Sequence, residues 1–287
     1  MLAGKFLLLL RASLALGYIP MSWRHIRVVF IPKPEKPLSQ AKSLRSTSLM
    51  SFILKTLEKL LDRHTKDGVL VERPLHQNQF AYREGMSTEM ALFQVVHRLE
   101  KFLKHKEIVL GAFLDTEEAF DNTSFSAIIT AARECRLEET CCGWVRSILG
   151  STLVHTYIMG SSLTAKVVGG CPQGGLSPLL WNLVVDRLLT ITNDQGFNTF
   201  GYADDIDIVV QGKFAHTLGE ITQEALNVVV KWAVKEGLNI SPHKTAIVLF
   251  TNRRSTEGLR PINPSAWSDG HCPHAARSHS FVYISTS

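Results

Sequence analysis

Two adjacent carboxylates stand out as residues whose types and spacing could do chemistry. Asp204 and Asp205 follow Tyr202 and Ala203, and a strand-like run at 206–210 comes after them. Two ionised carboxylates about 4 Å apart repel each other by roughly 4 kcal/mol in a protein-like dielectric, and a divalent cation removes that repulsion. The pair therefore suggests a metal site, although Asp-Asp between two strands is also typical of a solvated hairpin tip.

A third carboxylate, Asp115, favours the metal site. Residues 108–114 form a short apolar run before turn-prone residues, which predicts a buried strand with Asp115 at its tip. Residues 197–202 and 206–210 predict a hairpin that turns at Asp204 and Asp205. If these tips meet, three carboxylates without a histidine motif suit Mg²⁺ or Mn²⁺ better than zinc. Two such ions would activate a hydroxyl and stabilise the leaving oxygen, so nucleotidyl transfer is the predicted reaction class.

The elements that must position these acids predict an α+β fold. From residue 108 to 250 the order is strand, helices, two strands, helix, hairpin, helix and strand, which suits an antiparallel sheet with helices packed on one face. The predicted helices span 51–64, 87–104, 124–135, 138–149 and 177–193, with a further helix ending near residue 237. The other predicted strands span 26–31, 153–159, 165–168 and 246–250.

Composition limits the class of protein. The chain has 287 residues, of which 45% are hydrophobic and 20% charged, and its net charge of +5 leans slightly toward polyanionic partners. Five cysteines without two CxxC pairs predict reduced thiols in an intracellular protein. Residues 1–16 are apolar, but Arg11 interrupts them, which predicts an amphipathic core helix and not a signal peptide or membrane anchor. Secretion is therefore not expected.

Several segments, in the family's order, resemble reverse transcriptases of non-LTR retrotransposons, most closely those of jockey-like mobile elements. The likeness covers roughly residues 12–260. Segments similar to the family's four catalytic motifs are Phe113-Leu114-Asp115 with 119–125, then 172–178, 202–205, and 232–238 with Lys244-Thr245. Segments that resemble upstream parts of the family are 31–34, 42–45, 76–79 and Gly85 with Ser87 and Thr88.

The resemblance implies an RNA-directed DNA polymerase with right-hand fingers and palm. Residues 1–107 would form the fingers and N-terminal helical part, 108–250 the palm, and 251–287 a divergent tail that we expect to be disordered. The implied partners are an RNA template, a DNA primer and dNTPs, with no membrane, and the thumb and endonuclease regions would come from the full-length element. The family's elements copy themselves in the nucleus, which implies a nuclear location.

The resemblance also assigns metal ligands. Asp115, Asp204 and Asp205 would hold two Mg²⁺ or Mn²⁺ ions as the catalytic residues, with the Thr116 carbonyl as an additional ligand. The nucleotide-binding residues implied by the family are Lys33, Arg45, Thr116, Phe120, Gln173, Gly174, Tyr202 and Lys244.

Each nucleotide-binding role makes chemical sense. Lys33 and Arg45 would grip the triphosphate, Arg45 through its planar bidentate guanidinium. The Phe120 ring would clash with a 2′-hydroxyl and so favour dNTPs. Residues 173–174 would lie against the forming base pair, since glycine permits close backbone approach. Lys244 could donate a proton to the leaving pyrophosphate.

Four positions depart from the family's pattern. Residues 174–177 are one residue shorter than usual, with no aliphatic residue before Leu176. Glu118 stands at a usual glycine, and Ser46 at a usual proline. Asp207 replaces an apolar residue on the same strand face as Asp205, where it would either crowd the metals or be solvated. Beyond Arg260 the likeness ends, and residues 271–274 invite a zinc interpretation that disorder outweighs.

Three functions compete at this point. The first is a polymerase core, and the second is a degenerate element that folds and only binds nucleic acid. The third is another two-metal phosphoryl-transfer enzyme, such as a nuclease. Lys33, Arg45, Phe120 and Gln173 argue against a nuclease, which needs no dNTP pocket.

Overall fold

The structure is a computed structural model that describes residues 2–34, 37, 43–158, 160–171, 174–252 and 282–285. The helices are α1 (Leu2–Leu16), α2 (Met21–Arg24), α3 (Phe52–His64), α4 (Leu70–Glu72), α5 (Thr88–Lys104), α6 (Ala119–Asn122), α7 (Phe125–Glu134), α8 (Glu139–Ser151), α9 (Ser177–Asp194) and α10 (Ala215–Glu236). The strands are β1 (His25–Pro32), β2 (Leu44–Leu49), β3 (Ile108–Glu117), β4 (Leu153–Ile158), β5 (Ser161–Lys166), β6 (Asn198–Tyr202), β7 (Asp205–Gly212), β8 (Asn239–Ile240), β9 (Ala246–Thr251) and β10 (Val282–Ser285). A π-helical turn, Thr65–Val69, joins α3 to α4.

The chain forms two units, and each combines two separated stretches. The first unit contains Met1–Pro74 and Phe120–Val184, and the second contains Leu75–Ala119 and Val185–Ser287. The predicted boundary between residues 107 and 108 falls inside the second unit. The assignment of residues 1–107 to the fingers and 108–250 to the palm remains a prediction, whereas the α+β class is confirmed.

The second unit is built on a sheet with the strand order β10-β9-β3-β7-β6, and β8 pairs with the end of β3. Strand β3 is antiparallel to β7, β8 and β9. Its residues 109–113 are apolar or glycine and pair on both sides, with β7 and with β9. A strand bonded on both sides cannot shift without breaking hydrogen bonds on both, so β3 is a rigid support for Asp115.

Helices cover both faces of this sheet, where the sequence predicted one. Helix α5 packs against one face, with Val95 and Leu99 buried beside Val209 of β7. On the other face, a Cβ added to Gly201 would touch Leu189 of α9, and one added to Gly212 would touch Leu218 of α10. Because side chains alternate along a strand, this double cover explains why Ile206, Ile208 and Val210 are buried as well as Val209.

The first unit contains a four-stranded sheet in the order β2-β1-β4-β5. Strands β1 and β4 are parallel, whereas the β1–β2 and β4–β5 pairs are antiparallel. Helix α8 packs on α1, and the Trp144 indole N–H donates to the Ser13 hydroxyl over 3.2 Å inside that contact. Helix α1 forms as predicted and buries Leu10, but residues 6–9 remain exposed. Among the described residues, no helix combines the length and apolarity needed to cross a bilayer.

Serine caps explain where three helices begin. The hydroxyls of Ser51, Ser87 and Ser124 accept hydrogen bonds from backbone N–H groups three residues later. Each bond satisfies one of the N–H groups that a helix start leaves without a partner. Residues 51 and 87 are where the sequence predicted these helices to start.

The tail differs from the prediction where the structure describes it. Residues 253–281 lie outside the described residues, and this range includes Cys272 and the candidate zinc segment 271–274. Residues 282–285 form β10, which pairs in parallel with β9. The expectation of disorder throughout 251–287 is therefore wrong at these residues, because the apolar segment 282–284 adds to an existing sheet edge. In the described part of the chain the cysteines form no disulfide.

Candidate active site

Asp115 and Asp205 face each other across the β3–β7 pair of the second unit. They are register partners, so their side chains project from the same face of the sheet. Asp204 lies in the adjoining turn, and its carbonyl oxygen accepts a hydrogen bond of 3.0 Å from the Thr116 N–H. The Asp115 carbonyl accepts another from the Ser241 N–H at 2.8 Å. Backbone bonds on both sides thus fix where the three predicted catalytic acids stand.

The turn lies one residue earlier than the sequence predicted. Residues 203–204 form it, and Asp205 is already the first residue of β7, paired with Tyr202. Ala203 has a φ of 52°, in the left-handed region that costs a non-glycine residue roughly 1 kcal/mol. This turn exposes Asp204 and turns Asp205 toward Asp115.

The charges of this cluster act on one another. Burial raises the pKa of Asp205, and the neighbouring charges of Asp204 and Asp115 raise it further. The Lys244 ammonium donates to both carboxylate oxygens of Asp115, at 2.9 and 2.8 Å, and that hydrogen bonding raises the pKa of Lys244. Lys244 therefore stays protonated at neutral pH, a state that a proton donor requires.

The donor set fits divalent cations that prefer oxygen. All three acids offer carboxylate oxygens, and the repulsion that raises the Asp205 pKa is what a cation would relieve. Thr116 is buried, and its N–H donates to the Asp204 carbonyl. This hydrogen bond fixes the backbone of Thr116 beside Asp204. The Lys244 ammonium would compete with the ion at Asp115, since it donates to both oxygens of that carboxylate.

Tyr202 lines a pocket beside the acids, within the second unit. The pocket has a volume of about 370 Å³ and lies between β3, β7 and the start of α5, with Asp115, Asp205 and Lys244 in its lining. The Tyr202 hydroxyl is 2.5 Å from the Thr88 hydroxyl. This hydrogen bond ties the end of β6 to the first turn of α5 and orients the tyrosine ring.

Asp207 also lines this pocket. Its register partners are Phe113 and Phe200, so apolar rings flank the carboxylate. Burial, followed by the charge of Asp205, raises the pKa of Asp207 to about 6. Of the two alternatives from the sequence, a freely solvated carboxylate does not match this environment.

The remaining predicted site residues belong to the first unit. Lys33 donates its N–H to the Ser43 carbonyl at 2.8 Å, and Arg45 is exposed on β2. The Phe120 ring lies 5.9 Å from the Trp181 ring, and the Gly174 N–H donates to the Ser177 hydroxyl at 3.1 Å. Gln173 lies outside the described residues. That these residues share one site with the acids remains a prediction.

Within the first unit, residues 170–171, which precede the second predicted motif, contact residues 120–123 of the first motif. The Cys171 N–H donates to the Phe120 carbonyl at 2.6 Å, and the Gly170 N–H donates to the Thr123 carbonyl at 2.7 Å. Gly170 has a φ of 75°, and a Cβ there would lie 2.4 Å from the Asp121 carbonyl oxygen. Only glycine permits this close approach, which holds residues 170–171 against residues 120–123.

Glu58, a buried acid of α3 that bonds to the segment after Gly174, was not among the residues predicted from the sequence. It is 3% exposed and accepts a hydrogen bond of 2.9 Å from the Gly175 N–H. The signal was available, because Leu54, Leu57 and Leu61 form an apolar helical stripe that also contains Glu58. A charged residue inside such a stripe indicates a specific partner.

Comparisons with known proteins identify the family. The family described as Reverse transcriptase (RNA-dependent DNA polymerase) matches residues 31–284. This match extends past Arg260, where the sequence resemblance had been expected to end.

Curated relatives are longer than this chain. An RNA-directed DNA polymerase from mobile element jockey of Drosophila melanogaster is 27% identical over 253 residues, which are 86% of this chain and 28% of that protein. A Pol polyprotein from a type-1 retrotransposable element R1 of Bradysia coprophila is 28% identical over 83% of this chain and 24% of its own length. The chain thus spans less than a third of these relatives.

Solved structures show the same fold. Apo telomerase from Candida tropicalis matches 83% of this chain and 52% of its own, with a TM-score of 0.60 and 12% identity. Telomerase from Candida albicans, in complex with a fragment of telomeric RNA, matches 83% of this chain and 44% of its own, with a TM-score of 0.56 and 13% identity. With the family match over most of its length, this chain belongs to the reverse transcriptase (RNA-dependent DNA polymerase) family.

Proposed function

We propose that this chain is the catalytic core of an RNA-directed DNA polymerase that transfers a nucleotide from a dNTP to a primer 3′-hydroxyl. The observation that carries the proposal is the pairing of Asp115 with Asp205 across β3 and β7, with Asp204 in the adjoining turn. An RNA template and a DNA primer are the proposed partners. In this proposal residues 108–250 supply the palm, residues 1–107 contribute the fingers, and the site of action is the nucleus.

Asp115, Asp204 and Asp205 are the proposed ligands of two Mg²⁺ or Mn²⁺ ions. When bound, such ions activate the attacking hydroxyl and stabilise the leaving oxygen of an in-line phosphoryl transfer. The chain's own contribution is to hold the three carboxylates on hydrogen-bonded backbone. Lys244, protonated and on the same face as Asp115, is the proposed donor of a proton to the pyrophosphate oxygen.

Binding of the triphosphate and selection of dNTPs are assigned to residues of the first unit. Lys33 and Arg45 are proposed to bind the triphosphate, and Phe120 to exclude a 2′-hydroxyl. Gln173 and Gly174 are proposed to contact the forming base pair. The contact between the 120–123 and 170–171 segments supports the proposal, because it holds residues that precede the second motif against the first motif.

Primer extension on an RNA template tests the proposal. Asp115→Asn and Asp204→Asn should each lower dNTP incorporation by at least about 100-fold, since each removes a ligand charge worth several kcal/mol at the transition state. Asp67→Asn is the matched control, because Asp67 is an exposed aspartate of the first unit, outside this site. Equal incorporation by wild type and both active-site variants would refute polymerase activity at these carboxylates.

A degenerate element that only binds nucleic acid is the second candidate. Two observations favour it: Lys244 holds both oxygens of Asp115, and Asp207 adds a further acid to the pocket. This candidate predicts no incorporation with either metal but retained RNA binding that weakens steeply as salt rises. Titration of Mn²⁺ by electron paramagnetic resonance separates the two, since a polymerase core must bind Mn²⁺ and lose it in Asp115→Asn.

A further inference from the structure

Glu58 is an acid buried in the first unit where an apolar residue would be expected. Its side chain belongs to the α3 stripe with Leu54, Leu57 and Leu61, and all four residues are at most 3% exposed. An ionisable group at such a position needs partners that compensate for its burial. The partners found are backbone groups of the segment that follows Gly174.

Three consecutive residues, 174–176, lie against this one carboxylate. The N–H groups of Gly175 and Leu176 both donate hydrogen bonds to Glu58, the first over 2.9 Å. A Cβ added to Gly174 would lie 2.4 and 2.7 Å from the two Glu58 oxygens. The Gly174 N–H itself donates to the Ser177 hydroxyl. Every N–H from 174 to 176 therefore has an oxygen partner, and two of the three use Glu58.

Steric contact, and not backbone conformation, explains the glycine at 174. Neither Gly174 nor Gly175 has a φ in the left-handed region, so other residues could adopt either conformation. A Cβ at Gly175 would lie 3.9 Å from the nearest Glu58 oxygen, an ordinary contact. The carboxylate thus excludes side chains at residue 174 alone, and the two glycines form a natural matched pair for experiment.

The charge environment is consistent with a specific role. Burial raises the pKa of Glu58 to about 7, while the Gly175 and Leu176 hydrogen bonds and the Lys55 charge lower it. From the facing segment, Cys171 is the titratable neighbour, and burial raises its pKa to about 12, so it is a neutral thiol near pH 7. Backbone N–H groups favour the ionised acid, so the Gly175 and Leu176 hydrogen bonds offset part of the cost of burying its charge.

We propose that Glu58 is a positioning residue whose carboxylate fixes the 174–176 turn and thereby sets where the backbone of Gly174 lies. Where this turn meets the template base pair, a consequence that rests on the proposed function, Glu58 controls nucleotide affinity through Gly174 without touching the substrate. A leucine would fill the stripe as well, but it could accept neither N–H bond. A glutamine would keep the volume and replace one acceptor oxygen with a donor NH₂ group.

Amide hydrogen exchange on the full chain tests the positioning role without requiring activity. In Glu58→Gln and Glu58→Leu, we expect protection at residues 175–176 to fall by at least tenfold, with protection in β3 unchanged. Wild-type protection in both variants would overturn the proposal, and two variants guard against one that fails to fold.

Alanine substitutions give a second, steric readout. Gly174→Ala should lower amide protection at residues 175–176, as Glu58→Gln does. Gly175→Ala should leave the Gly174–Ser177 hydrogen bond intact, so it should lower this protection less. Shortening the acid by one methylene in Glu58→Asp should relieve the effect of Gly174→Ala, so that the double variant is better protected than the sum of the single changes predicts. Strictly additive effects, or equal effects of the two alanines, would overturn the assigned contact.

Kinetics then connect the turn to nucleotide binding. If the chain polymerises, Glu58→Gln should raise the KM for dNTP at least fivefold while kcat changes less than twofold, which a general loss of stability would not produce. An unchanged KM alongside lost protection would overturn the proposed control of affinity. A wild type that incorporates no nucleotide contradicts the proposed function instead, and the exchange experiment still decides the role of Glu58.

Discussion

Replacing Asp207 with asparagine should stabilise the chain, and the gain should depend on pH in a defined way. The pKa of Asp207 is raised to about 6 by burial and by Asp205, against about 3.9 for an unfolded aspartate. A folded-state pKa above the unfolded one means that the folded state binds the proton more tightly. The stability from this proton is fully present below about pH 4 and is lost as pH rises through about 6.

The magnitude follows from those two pKa values. A difference of about two pKa units corresponds to about 3 kcal/mol over the whole range. About half of this free energy, about 1.4 kcal/mol by linkage, is gained between pH 8 and pH 5, because the rest is gained below pH 5, where the unfolded carboxyl also begins to bind its proton. Asp207→Asn cannot titrate, so its advantage over the wild type should shrink by about 1.4 kcal/mol between pH 8 and pH 5.

Urea unfolding of both proteins at pH 5 and pH 8, at constant ionic strength, measures this change. Glu58 also titrates in this window, with a pKa of about 7, but it is present in both proteins and cancels in the difference. Asp67→Asn, at an exposed aspartate outside this pocket, is the matched control for the Asp-to-Asn change. A difference between Asp207→Asn and wild type that stays constant from pH 5 to pH 8 would show that the carboxylate is solvated.

Three further changes test separate features. Glu118 has a φ of 46°, so Glu118→Gly should raise the free energy of unfolding by roughly 1 kcal/mol in urea titrations, whereas a gain of the same size in Glu118→Ala would contradict relief of backbone strain. Gly170→Ala should cost about 3 kcal/mol or prevent folding, because it combines a left-handed backbone with a collision at the Asp121 carbonyl. Gly169→Ala, where a Cβ meets nothing closer than 3.8 Å, is its control, and similar melting temperatures for both would refute the steric argument. Lys244→Met should raise the pKa of Asp205 further, since the Lys244 charge lowers that pKa. A carbon-13 NMR titration of the Asp205 carboxyl measures the change, and a fall in the pKa would contradict the assigned sign.

Local rules predicted much of the fold. Ser87 marked a helix start within one residue, because a capping hydroxyl acts over a single turn, and helical spacing placed the start at residue 51 equally well. The apolar run from Ile108 identified β3, and the hairpin pattern identified β6 and β7. These signals are contained in neighbouring residues, so no tertiary information was needed to detect them.

Long-range pairing and backbone strain were not predictable in the same way. The parallel contact of β1 with β4 joins strands that are far apart in the sequence, and nothing in either strand specifies its partner. The left-handed conformation of Ala203 moved the turn away from Asp205, although alanine carries no signal for that conformation. Strand β10 was missed because the Ser- and Pro-rich composition around it predicted disorder.

The acids of the candidate site were predicted from the sequence, but the residues that hold neighbouring segments in place were not. Asp115, Asp204 and Asp205 follow from residue type and strand position. Glu58 does not, because its carboxylate matters only through a turn whose approach depends on tertiary packing. The pairing of Lys244 with Asp115 is likewise a product of where β9 lies beside β3.

The double pairing of β3 has a consequence for biosynthesis. A ribosome releases β3 well before its partners β7 and β9, so the nascent strand waits with both hydrogen-bonding edges and both apolar faces exposed. Each of the two units is also interrupted in the sequence by a stretch of the other. If the gene is split between codons 184 and 185, each half should therefore aggregate when it is expressed alone. The folded protein should be recovered only when chaperones or co-expression allow the two halves to complement each other.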